Sequence, residues 1–161
     1  AEKRMIMISF IIHDTKEFMN LLLKQNSFDD FYLRQMDITT FALFQIDGTR
    51  NKQYYSLAEQ ELMTDNYCFW QEIRHYAFEI IKGQKLPKNI KIIFSLPEHK
   101  NNMVCSIPAT FFLNMIFEQN TVTCTTGCSL KPFSFDKTAE YAWDEWVLSF
   151  FHQLKIAIIK Q

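Results

Sequence analysis

Cys124 and Cys128 stand on either side of Thr125-Thr-Gly127, and two thiols around a glycine can begin a zinc site. Structural zinc usually takes a tighter Cys-x2-Cys pair together with further ligands. Cys68 and Cys105 show no matching spacing, and none of the four histidines stands where it would complete a set. The expectation is no metal and no cofactor, with Cys124 packed as a core residue and Cys128 merely following a Gly127 turn. Carboxylates lie side by side at Asp29-Asp30 and Asp144-Glu145. A general acid and base must converge in a cleft with separated pKa values, whereas neighbours on one helix diverge. Asp144-Glu145 reads as a solvated helix face opposite Trp143 and Trp146, and Asp29-Asp30 as the start of a strand or turn. Ser129 and Thr125 beside Lys131 have the types of a nucleophile and a base, but nothing fixes them and there is no nucleophile elbow. Gly48, Gly83 and Gly127 are isolated, so no glycine-rich loop is present to cradle a phosphate. No catalytic residue is assigned.

One pattern points to binding. Thr121, Thr123 and Thr125 alternate along one run, and Asn114 falls beside them on the facing run. A threonine ladder is an ordinary solvent-facing solution for an antiparallel sheet. With Phe112 and Ile116 interspersed, the same face could form a shallow binding surface. The candidate binding residues are Asn114, Thr121, Thr123 and Thr125.

The elements that must position them begin with a hairpin. Phe111–Glu118 and Thr121–Thr126 are strand-like runs joined only by Gln119-Asn120. That loop length sets Phe117 opposite Val122 and Met115 opposite Cys124, which gathers Leu113, Met115, Phe117, Val122 and Cys124 on one face. Asn114, Glu118 and the threonines fall on the other, and a slip of one residue would scramble both sets. A turn at Thr126-Gly127 leads to a third meander strand, Ser129–Phe135, whose Pro132 places it at an edge or a bulge. Upstream, Met5–Ile12 reads as a strand, and Asp14 with Glu17 as the start of a helix carrying Phe18, Leu21 and Leu22. Phe31–Asp37 and Ile38–Asp47 have strand character, with neither face of the second fully wet, and Asp47-Gly48 is the strongest turn signal in the chain. Asn51–Met63 reads as a loop with a short helical piece. A second helix runs from Thr64-Asp65 to Gly83 with Trp70, Ile73, Ala77, Phe78 and Ile81 as its stripe, and a strand follows over Ile90–Leu96. Asp136 caps a last helix whose Ala139, Trp143, Trp146, Val147, Phe150, Leu154 and Ile158 recur at helical spacing. The fold class is α+β: a mainly antiparallel sheet with a C-terminal three-strand meander and about three helices packed largely on one face. No repeat or linker interrupts the chain, so residues 1–161 read as one domain, with 1–4 loose.

Composition limits the function classes. Hydrophobic residues at 48% and charged residues at 22% describe a folded chain rather than a disordered one, and sixteen Phe with three Trp give it a core of large rings. A formal charge of −1 supplies no global attraction for nucleic acid or anionic lipid. No apolar run reaches the ~18 residues a membrane span needs, and Met5–Ile12 lacks the pattern of a signal peptide. Without an export signal the four cysteines are expected to be reduced, in a cytoplasmic protein.

Several short motifs together carry a resemblance. Thr123-Cys-Thr-Thr-Gly-Cys-Ser-Leu-Lys131, Asp136-Lys, Ala142-Trp-Asp-Glu145, Phe28-Asp-Asp-Phe31, Ile38-Thr-Thr-Phe41, Ile46-Asp-Gly48 and Ile81-Lys-Gly83 resemble a family of small bacterial proteins known only as a domain of unknown function. The resemblance runs over nearly the whole chain from Met7. It implies a bacterial cytosolic protein and carries over no activity or catalytic residue. Locally, Phe31–Phe44 is similar to the strand pair after the first helix of a DNA sliding clamp, with the preceding strand and helix in clamp order. The functional expectation is a non-enzymatic binding or interaction module, with a protein partner or a homo-oligomer, no membrane and no nucleic acid. The alternatives are an enzyme whose site assembles only in three dimensions and a clamp-like nucleic-acid accessory protein.

Overall fold

A computed structural model describes residues 3–83, 85–130 and 136–161, with the side chains of residues 3–6 excluded. The chain runs β1 (Lys3–Ile12), α1 (Thr15–Lys24), β2 (Tyr32–Thr39), β3 (Leu43–Asp47), α2 (Leu57–Leu62), α3 (Trp70–Ile81), β4 (Asn89–Ser95), β5 (Ala109–Glu118), β6 (Thr121–Leu130), α4 (Thr138–Gln153) and β7 (Ile158–Lys160). Short 3-10 turns cover Lys52–Tyr54 and Glu98–Met103. The strands form one seven-stranded sheet in the order β3-β2-β4-β5-β6-β1-β7, every pair antiparallel. The fold is α+β. No helix among the described residues is long and apolar enough to cross a membrane.

The central hairpin has the expected register, with Met115 opposite Cys124 and Phe117 opposite Val122. Gln119 and Asn120 both take positive φ, 51° and 58°, which is the backbone of a tight hairpin turn whose twist matches its strands. Thr15 of α1 donates its hydroxyl to Asn120 O at 3.0 Å and ties the turn to the first helix. Where β6 goes next differs from expectation. It does not turn at Thr126-Gly127 but continues to Leu130, because β1 lies along its other edge and pairs from Lys3–Leu130 to Ile11–Thr123. Ser129 and Leu130 thus end β6, and the rest of the expected third strand, 131–135, lies outside the described residues. Three strands consecutive in both chain and sheet do occur, as β4-β5-β6.

The buried face of the sheet follows from period-2 alternation. Ile90, Ile92 and Phe94 of β4 lie opposite Phe117, Met115 and Leu113 of β5, and all six are buried. Rings from the helices meet this face. Trp70 of α3 contacts Phe94 edge-on at 5.3 Å, Phe151 of α4 contacts Phe10 at 5.1 Å, and Trp143 stacks on Phe111 at 5.1 Å. Trp143 also heads a column in which Trp146 and then Phe150 stack at 5.2 and 5.3 Å. Each buried ring of this kind contributes about 1.5–3 kcal/mol. The buried indoles satisfy their N–H groups, Trp143 on Phe112 O at 2.8 Å and Trp70 on Leu22 O at 3.0 Å.

Element ends differ from expectation for tertiary reasons. The first helix is capped as expected, Asp14 accepting from Glu17 N. The second begins only at Trp70, because Tyr67 bridges to Thr49 and Phe69 to Tyr32, which holds 66–69 extended. The run Ile38–Asp47 is not one strand: Ile38 and Thr39 end β2, Thr40 N donates to Ala42 O where the chain turns, and β3 is an edge strand with alternate residues exposed. The last helix ends at Gln153. Lys155 then takes φ 60° and the chain reverses, so Ile158 lies in β7 rather than on the helix stripe.

Candidate binding face of the sheet

Directly opposed residues in a sheet project to the same side. The pairings place Ile159, Ile11, Thr123, Ile116, Lys91 and Asp37 in one row running from β7 to β2. The neighbouring row is Ser9, Thr125, Asn114, Ile93 and Gln35. Both rows lie on the face away from the ring contacts. Ile116 is 39% exposed and Ile159 52%, while Ile11, Ile93, Thr123 and Thr125 are half-buried.

The structure brings some of the expected binding residues together and separates others. Asn114 Nδ2 donates to Thr125 Oγ1 at 3.3 Å and to Thr125 O at 3.4 Å, which joins these two side chains. Between them and Lys91, Ile93 and Ile116 lies a shallow depression of about 420 Å³. Thr123 sits one row away, between Ile11 and Ile116. Thr121 lies at the hairpin end, its hydroxyl donating to Gln119 O at 3.4 Å. Chemically, the depression offers an isoleucine wall, a threonine hydroxyl and the Lys91 ammonium. Sequence reasoning missed Lys91, Ile93, Ile11 and Ile159. Ile93 had a signal: it is apolar on the same parity as Lys91 and Ser95, as Ile116 is among the polar positions of β5.

Beyond this patch the same face is covered by the segment 49–69. A bulge in β2 at Arg34 puts its guanidinium 3.8 Å over the Tyr67 ring and 5.2 Å over Phe112, with Nε donating to the Ser95 hydroxyl at 2.9 Å. Tyr32 donates its hydroxyl to Asp65, and burial together with that acid raises its pKa above the usual phenol range. Arg50 pairs with both oxygens of Glu72 at 2.6 and 2.8 Å, which lowers the Glu72 pKa. These contacts pin the segment down.

The residues whose types suggested chemistry are dispersed. Cys124 is buried, as expected of a core thiol, and burial raises its pKa. Cys128 is also buried, contrary to the expectation of a residue beyond a turn, because β6 continues and points it inward opposite Phe111. Burial, with Glu140 and Asp144 nearby, pushes its thiol up to about 12, so it is neither a ready nucleophile nor a ready ligand at neutral pH. Among the described residues no three His, Cys, Asp or Glu side chains are grouped to hold a metal ion. Asp29 is buried against Arg74 through two hydrogen bonds of 2.9 and 3.0 Å, whereas Asp30 is exposed. Thr125 and Ser129 occupy separate positions on β6, and Lys131 lies outside the described residues.

Asp144 is not on a solvated face. It accepts from Thr126 Oγ1 at 2.7 Å, and Thr126 in turn accepts from Ile8 N, which the β1 bulge between Ile6 and Ser9 leaves out of the ladder. Burial pushes the Asp144 carboxyl above its usual range, with the Thr126 bond opposing and Glu140 and Glu145 adding to the rise. The folded state therefore holds this proton more tightly than the unfolded chain. Its contribution favours folding in acid and is lost as pH rises through the carboxylate range toward the raised folded value. Asp144→Asn keeps an oxygen for Thr126 and removes the charge. It is expected to raise the melting temperature at neutral pH more than at acid pH; an equal shift at both would contradict this.

Residues 21–158 match the model of the family of unknown function DUF5721. The chain belongs to that family. The match takes in every described element from the end of α1 to the first residue of β7, and so most of the candidate face. No curated protein and no solved structure matches the chain. Membership in DUF5721 assigns no chemistry to the face.

Proposed function

We propose that this chain is a non-enzymatic interaction module of the bacterial cytoplasm that docks a second copy of itself through the isoleucine-rich half of the accessible sheet face. The observation that carries the reading is the row Ile159, Ile11, Thr123, Ile116, with Ile93 beside it: β-branched, mostly apolar side chains on neighbouring strands, Ile116 and Ile159 exposed and the others half-buried. A contiguous apolar patch of this kind marks an interaction surface. Threonines within it and Lys91, Asn114 and Gln35 around it supply the polar rim of such a contact. A twofold axis sets the same patch on both copies, so that each strip covers the other. Free thiols at Cys68, Cys105, Cys124 and Cys128 suit a reducing compartment.

Sedimentation velocity over a range of concentrations tests the reading. The parent is expected to rise from the 19.2 kDa of one chain toward twice that mass. Ile116→Lys is expected to stay at the mass of one chain while unfolding at the temperature of the dilute parent. A parent that remains at one chain's mass at every concentration overturns the proposal.

A further inference from the structure

We infer that a second site, separate from the isoleucine-rich half of the sheet face, lies between the 3-10 turn Glu98–Met103 and the ends of β5 and β6, and takes a small polar ligand that carries N–H donors. A cavity of about 420 Å³ opens there, lined by Glu98, Asn101, Cys105, Thr110 and Ser129 among others. Two polar atoms of these lining residues, Asn101 Oδ1 and Ser129 Oγ, are buried without a hydrogen-bond partner. Buried polar atoms are nearly always paired, and one left unpaired costs stability, so two on one cavity wall require an explanation.

Neither side chain can turn away. Asn101 is held through its backbone oxygen, which accepts from Val104 N at 2.9 Å and Cys105 N at 3.1 Å, and through Nδ2, which donates to Ala109 O. With the amide nitrogen so engaged, Oδ1 is fixed as an acceptor. Ser129 is only 2% exposed and sits in the middle of the sheet, between Thr110 of β5 and Arg4 of β1. Its hydroxyl can give or take one hydrogen bond and has no partner for it.

The donor and acceptor inventory selects the ligand class. Asn101 Oδ1 and the Glu98 carboxylate both require donors, Ser129 accepts either role, and among the described residues no Lys, Arg or His lines the cavity. An anion would meet acceptors and a negative charge. An ammonium or a primary amide would meet complementary atoms, and Ile107, Pro108 and Ala109 provide apolar contact for a short carbon stem. The volume is within the range of small-molecule sites, which run about 300–1,000 Å³.

Amide chemical shifts of the full chain, titrated with methylammonium, acetamide and acetate, test the site. Saturable shifts at Asn101, Cys105, Thr110 and Ser129 are expected with methylammonium and acetamide, and none with acetate. Ser129→Ala removes the unpaired hydroxyl. It is expected to melt no lower than the parent and to bind both donor probes about two- to tenfold more weakly, the worth of one hydrogen bond. Absence of a saturable shift with either donor probe overturns the inference, as does an equal response to acetate. A lower melting temperature for Ser129→Ala also overturns it, because the hydroxyl would then already hold a partner such as a buried water.

Discussion

Gly48→Ala is expected to cost about 3–5 kcal/mol, in the range reached only when a residue's environment has no room to give. A Cβ at Gly48 would lie 1.6 Å from Leu33 O and 2.6 Å from Leu33 C, which are backbone atoms of β2. The position cannot drift outward, since Gly48 N donates to Arg34 O at 3.0 Å and Gly48 O accepts from Cys68 N at 2.7 Å. The methyl group would therefore separate β2 from the segment that covers Arg34 and Tyr67. A urea titration reads the loss directly, and a midpoint within error of the parent's would contradict the close approach.

Val122→Asp is expected to cost about as much, 3–5 kcal/mol or roughly that, or to prevent folding, because it places a carboxylate with no partner in the core. Val122 is 1% exposed, opposite Phe117 on the face that meets the rings of Trp70, Trp143 and Phe151. Thr123→Asp, one residue away on the accessible face, is expected to change the stability of the dilute protein by about 0.5 kcal/mol or less. The pair separates the two faces of the sheet. Equal effects from both substitutions would mean that the hairpin register is wrong.

How much of this was legible in the sequence depended on how local its cause is. The β5–β6 register was readable because a two-residue turn and a period of two determine it within 16 residues, Phe111–Thr126. The Asp14 cap and the Phe18, Leu21, Leu22 stripe were readable for the same reason. The buried state of Cys128 and Asp144 was not, because it depends on β1 returning along β6 from more than a hundred residues away. Gly48 was recognised as turn-forming, but its closeness to Leu33 depends on how β2 and β3 align and has no local signature. The reversal at Lys155 uses a positive φ without a glycine or asparagine to announce it, so the apolar spacing ran on to Ile158. In the candidate site, Asn114 and Thr125 were found because they share the hairpin, while Ile11 and Ile159 were missed because β1 and β7 are joined to it only through the sheet order.

The central claim, that the isoleucine strip is where two copies meet, is tested most directly by labelling isoleucine methyl groups and adding a soluble paramagnetic agent. At low concentration the Ile116 and Ile159 methyls are expected to relax strongly, and at high concentration Ile11, Ile93, Ile116 and Ile159 should become protected together. Ile80 and Ile81 of α3, on the opposite side of the molecule's sheet, should respond alike at both concentrations. Protection that appears at α3 instead, or no concentration-dependent protection of the strip, would contradict the account.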